Sequence, residues 1–239
     1  MSREAPTPPK SIKKYEEATR NALIVLDDCY DLMSRLSLPQ SERIRVAISL
    51  MFGSIEQARS ACLLIANDAD RSTFAAFILL RSQIGQMLRG MFFAGPANDD
   101  QLAYYLDKDE MPKIGKIKAH PVLLAEINDN HYGWAPKGKI QSFVVNHWKD
   151  LCGFTHGGHA LLGFYAGGEG ISPMKPTDEL IEVVCNTVTL CCITIQIIAG
   201  TALNKEEPEF KKNADKWAEN ALEFLNTWQT PQESSGEET

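Results

Sequence analysis

The chain has no Cys-x-x-Cys spacing, no apolar N-terminal leader, and no alternating polar–apolar run long enough to build a sheet. Each absence excludes a class. Its six cysteines are Cys29, Cys62, Cys152, Cys185, Cys191 and Cys192, and all but Cys152 fall in apolar helical runs. That usage argues against a disulfide framework or a zinc site and for small buried hydrophobes in a reducing compartment. Met1 to Lys10 is polar and Pro-rich, without the apolar core of a signal peptide, so the expected location is cytoplasmic. Gly-x-Ser-x-Gly and His-Glu-x-x-His motifs are missing. Gly167-Gly168-Glu169-Gly170 follows no strand and does not fit a phosphate-binding fingerprint. Nothing calls for a cofactor or a metal. Basic residues are not in excess: the formal net charge is −7, which excludes non-specific coating of a phosphate backbone.

What is present is helical periodicity from end to end. Tyr15, Ala18, Ala22, Leu26, Cys29, Met33 and Leu36 step by three and four before Pro39 breaks the chain. Ile44, Ile48, Met51, Ile55, Ala58, Cys62 and Ile65 then form one narrow seam, as in antiparallel bundles. Asn67 to Asp70 supplies a stop and a new cap. A third helix runs from about Arg71 to Phe93 and ends at Gly95-Pro96. A short helix is expected after Asn98, another from Pro112 to about Ile127, a loop from Asn128 to Gly138, and helical spacing again from Ile140 to Leu151. Ala166 to Pro176 is a Gly- and Pro-rich loop. Thr177 caps an apolar helix to about Leu203, and Pro208 opens a last helix with the stripe Phe210, Ala214, Trp217, Ala221, Leu225 and Trp228.

The expected architecture is all-α. It is an antiparallel bundle of about five long helices with a cap of short helices and loops in the middle third, about residues 96–176. A flexible N-terminus (1–10), a single helical domain (11–228) and a disordered acidic tail (229–239) complete it. Val183 to Leu203 carries no charge and is long enough to span a bilayer. Its Asn186, Gln196 and threonines, and its acidic N-terminal flank, favour a buried central helix; a membrane anchor is the minor alternative.

Two features could carry chemistry. At about 100° per residue, Phe74, Ile78, Leu88 and Phe92 define the apolar face of the third helix, and Arg81 falls near its middle. An arginine cannot shed its proton, so burial demands an acidic or phosphate partner. Within the protein, Asp150 and Glu56 are the candidates. The second feature is the run from Asn146 to His159, which holds His147, His156 and His159, with Gly157 and Gly158 beside His156. Histidine suits proton transfer near neutral pH, and it also serves as a plain helix-end residue. His147, Lys149 and His159 are the candidate ligand-binding residues; His156, Arg81 and Asp150 are the candidate catalytic ones. The two glycines between His156 and His159 argue against the regular spacing a metal site would need. Lys108, Lys113, Lys116 and Lys118 read as a solvated helix face.

Leu79-Leu80-Arg81-Ser82, taken with Phe154-Thr155-His156-Gly157, resembles uncharacterised bacterial all-α families with a Leu-Arg-Ser helix and a later His-Gly step. These look distantly like the HEPN helical bundles of toxin–antitoxin and phage-defence systems; the likeness spans roughly Ile44 to Tyr165. The resemblance implies a metal-independent ribonuclease, in which a histidine moves a proton at the 2′-hydroxyl and an arginine four to six residues earlier steadies the phosphate. His156 matches that histidine. Asp150 stands where the arginine would be, and Lys149 is one position too far, so Arg81 would have to serve from another helix. Two readings stay open. One is a non-catalytic module of a defence or stress system that binds a protein partner, a small ligand or a second copy of itself. The other is an RNA-cleaving enzyme using His156 with Arg81.

Overall fold

A computed structural model describes residues 10–37, 41–133, 138–158, 163, 165, 179–201 and 208–229. Helix α1 is Lys10–Ser34, α2 Glu42–Ala94, α3 Asp99–Lys108, α4 Pro121–Tyr132, α5 Lys139–His156, α6 Glu179–Gly200 and α7 Pro208–Trp228. A two-stranded hairpin, β1 Lys113–Ile114 and β2 Ile117–Lys118, lies between α3 and α4. The all-α expectation holds. The predicted loop at 166–176, the Thr177 cap and most of the acidic tail lie outside the described residues.

Helix α2 is two helices in one. Asp68 leaves the helical region (φ −161°, ψ 81°), and its carboxylate accepts from the Arg71 N–H at 3.2 Å, which caps the second half. The chain reverses there. Ser54 Oγ donates to the Gln83 carbonyl at 3.0 Å, and Gly90 lies against Ala47 and Met51. The first arm (42–67) and the second (69–94) are therefore antiparallel, as the stop at Asn67–Asp70 predicts. Arg43 ties the open ends. It donates to the Phe93 and Ala97 carbonyls at 3.2 and 2.6 Å and to Asp99 at 2.6 Å, answering the unpaired carbonyls at the end of the second arm. Gly90 is the close approach: a Cβ there would stand 2.6 Å from Met51 Cγ and 3.0 Å from the Ala47 carbonyl. Gly90→Ala should therefore cost about 1–3 kcal/mol, read as a lower urea midpoint; no loss would mean that the arms are not packed as described.

Helices α1 and α6 pack on the α2 hairpin and on each other, α7 packs on α1 and α6, and the hairpin also receives α4 and α5. A single apolar cluster runs through all of these. Helix α6 is the central element. Leu180–Gly200 is long and apolar enough to cross a membrane, yet 61% of that window is buried among α1, α2 and α7. Its Thr187, Thr189 and Thr194 return their hydroxyls to carbonyls four residues back, and Gln83 Nε2 reaches the Thr187 carbonyl at 2.9 Å.

Two expected boundaries are corrected. The helix predicted from Pro112 is a hairpin, because Gly115 takes a left-handed φ of +62° as the first central residue of a two-residue turn. Helix α4 begins only after His120, whose Nδ1 accepts from the Leu123 N–H. The loop predicted from Asn128 is helix through Tyr132. Asn128 is buried there with its Nδ2 on the Leu88 carbonyl at 3.0 Å, and the Tyr132 hydroxyl donates to the Met91 carbonyl at 2.9 Å. These polar side chains look like loop residues in sequence, but they are stitches between α4 and the second arm.

Candidate functional site

The second arm of α2 turns Thr73, Ala76, Leu80, Gln83, Ile84, Met87, Leu88 and Met91 into the core. Arg81 is about 100° around from Leu80, so it is half-buried on the flank rather than at the centre of the apolar face, which corrects the wheel drawn from Phe74 and Ile78. On that flank it meets α5. The Arg81 guanidinium carbon lies 4.9 Å from the centre of the Trp148 ring. One turn earlier on α2, Phe77 stacks on Phe154 with ring centres 4.9 Å apart and planes 7° from parallel. Matching 81 with 148 and 77 with 154 makes the second arm and α5 antiparallel.

Arg81 makes no ion pair and no hydrogen bond with any described residue. Its Nε is buried without an acceptor, while its Nη groups stay accessible. A cation–π contact balances part of the desolvation, since the ring face is negative. Neither expected acid answers it. Asp150 is exposed and has no ion pair among the described residues; two positions along a helix turn it about 200° from Trp148, toward the opposite side. Glu56 is exposed on the first arm.

The remaining candidates scatter. His156 is exposed at the last turn of α5, followed by Gly157 in the left-handed C-cap conformation (φ +75°). Eight residues separate it from Trp148, about 12 Å along the axis. His147 is half-buried, with its ring 4.7 Å from that of Phe143. Lys149 is exposed, and His159 lies outside the described residues. Arg81 and Trp148 are thus brought together, whereas Asp150 and His156 do not join them. Among the described residues no three His, Cys, Asp or Glu side chains are grouped to hold a metal ion.

Sequence reasoning missed two contributors. Trp148 was legible only as one more apolar position on α5. Asp129, buried at the end of α4, accepts from the Ile140 and Gln141 N–H groups at 3.4 and 2.8 Å and so anchors the start of α5. The N-cap position of α5 is Gly138, which has no side chain to do this.

The cysteines behave as expected of core residues. All six are free thiols, and Cys29, Cys62, Cys185 and Cys191 are buried where α1, α2 and α6 meet. Burial pushes Cys185 up to about 11 and Cys192 up to about 12, and raises Cys62 further. A hydrogen bond with Cys29, together with burial, holds Cys191 well above the ordinary thiol value. Such thiols are poor nucleophiles and metal ligands.

A family model described as a family of unknown function, DUF6988, matches residues 52–220, from the first arm of α2 into α7. The chain belongs to that family. No curated protein and no solved structure matches it.

Proposed function

We propose that this member of the DUF6988 family is a non-catalytic binding module that seats an anionic group, a carboxylate or a phosphate, on Arg81 at the seam of α2 and α5. One observation carries this reading: a half-buried guanidinium, steadied on Trp148, has accessible Nη groups and no acid among the described residues. Guanidinium forks match both oxyanions with two parallel hydrogen bonds. A charge that served only the fold would be expected to have its acid built in. The ribonuclease reading needs His156 beside Arg81, and the two turns of helix between Trp148 and His156 give it no support. A place in a defence or stress system rests on the resemblance alone.

Stability and binding separate here. Arg81→Met gives up a cation–π contact of about 0.5–1 kcal/mol and relieves a partly desolvated charge. The expected change in unfolding free energy is therefore under about 1 kcal/mol, against about 3–5 kcal/mol for breaking a buried ion pair. The same variant should lose the change in tryptophan emission that acetate or inorganic phosphate causes in the parent. Trp148→Phe identifies which of the four tryptophans reports it. A large stability loss in Arg81→Met, or an emission response that persists in it, would falsify the proposal.

A further inference from the structure

Gln86, on the second arm of α2, is an amide with one end sealed and the other open. Its Oε1 is buried without a donor. It presses so close to the first arm that a Cβ at Gly53 would stand 2.6 Å from it. Its Nε2 stays accessible and donates to no described residue. A buried acceptor without a donor costs stability, and so does a glycine inside a helix. Both costs fall on one spot, and what they secure is the direction of the Nε2 donors.

That spot is one end of a groove of about 500 Å³ between the α2 hairpin and α3, a size ordinary for small-ligand sites. Arg45, Ser49 and Gly53 line it four residues apart, so they form one row along the first arm. With Gln86 seated against Gly53, the row offers a guanidinium, a hydroxyl and an amide N–H. Neither Arg45 nor Ser49 has a side-chain partner among the described residues. Val46 and Leu50 make the neighbouring row, and Tyr105 and Leu106 of α3 add further apolar lining. Leu106 is 45% exposed. Glu42 is the acid among these lining residues; it makes no ion pair with Arg45 and brings their formal charge to zero.

We infer that this groove takes the carboxyl end of a peptide-like chain, about the size of an acylated dipeptide. Its carboxylate lies on Arg45, its amide carbonyls on Ser49 and Gln86 Nε2, and its hydrocarbon side chain on Leu50 and Leu106. A row of donors asks for acceptors, and the apolar lining asks for hydrocarbon beside them. A lining of zero net charge suits one carboxylate better than a doubly charged phosphate. From Arg45 to Gly53 is about 12 Å along the axis, and an extended chain covers about 3.3–3.6 Å per residue. The groove is separate from the Arg81 seam, since five positions turn Gln86 about 140° from Arg81. The inference therefore does not rest on the anion reading of Arg81.

The test titrates the full nitrogen-15-labelled chain with three probes and follows backbone amide shifts by NMR. The probes are N-acetyl-glycyl-leucine, its C-terminal amide, and N-acetyl-diglycine. The leucine acid should shift Arg45, Ser49, Gly53 and Gln86. It should bind about tenfold tighter than its amide and about fivefold tighter than the diglycine. Arg45→Gln should erase the preference for acid over amide. Gln86→Leu should weaken all three probes without lowering Tm, because it removes an orphaned acceptor. Gly53→Ala, a better helix former, should displace the Gln86 amide and weaken the probes in the same way. Absence of binding, equal affinity for acid and amide, or binding that survives Gln86→Leu overturns the inference. Shifts centred on Arg81 and Trp148 would overturn it too, and would support the anion reading instead.

Discussion

Raising the pH should unfold this protein cooperatively at roughly pH 10–11. The cause is the thiol cluster between α1, α2 and α6. In the unfolded chain these cysteines ionise near 9; in the fold Cys185 is held to about 11, Cys192 to about 12, and Cys62 and Cys191 are also raised. For a group whose folded value is raised, the contribution to stability is whole below the unfolded value. It is lost as pH climbs toward the folded one, because the unfolded chain releases protons that the native core retains. Each thiol then removes roughly 1.4 kcal/mol per pH unit. Cys185 and Cys192 alone remove on the order of 5 kcal/mol within about two units, which reaches the range of a typical domain's whole stability, and Cys62 and Cys191 act in the same direction. Burial acts in the same direction on Tyr15 and Tyr132, both raised to about 12. Helical circular dichroism and thiolate absorbance, followed together, should change with one midpoint. Thiolate absorbance that rises by itself near pH 9, with the helices intact, would mean the cysteines are not buried as described. Cys62→Ala should move the midpoint upward.

Asp129→Ala is expected to cost about 2–3 kcal/mol, among the largest losses from one polar substitution in this chain. The carboxylate is buried at 4% exposure and accepts two backbone N–H groups at the first turn of α5, where the helix dipole also favours negative charge. Removing it orphans both donors, and Gly138 has nothing to offer instead. Asp129→Asn keeps one acceptor without the charge and should fall between the two in urea unfolding. Because α5 carries Trp148, the alanine variant should also blunt the emission response to acetate or phosphate more than its loss of global stability explains. A change within about 0.5 kcal/mol, the range of an ordinary surface substitution, would remove Asp129 from this role.

The functional reading depends on which of the expected contacts formed. The sequence placed Arg81 near the middle of an apolar face; it is on the flank, the acids expected to answer it face elsewhere, and an indole from α5 stands under it instead. The clustering of His147, His156 and His159 in sequence suggested one site. A helix spreads such a cluster around its axis and along its length, so His147 rests on Phe143 while His156 ends the helix in solvent. Lys113–Lys118 pairs as a hairpin. There a single left-handed glycine decided against the helix that Pro112 suggested.

Local patterns determined the helices. The three-and-four spacing of apolar residues, the stop at Asn67–Asp70 and the break at Pro39 needed no knowledge of what lay across the molecule, because each acts within a turn or two of chain. The use of Asp129 as a cap for α5 and the stacking of Arg81 on Trp148 came only with the tertiary structure. Each depends on the register between helices far apart in sequence, and a shift of one residue turns a side chain through about 100°.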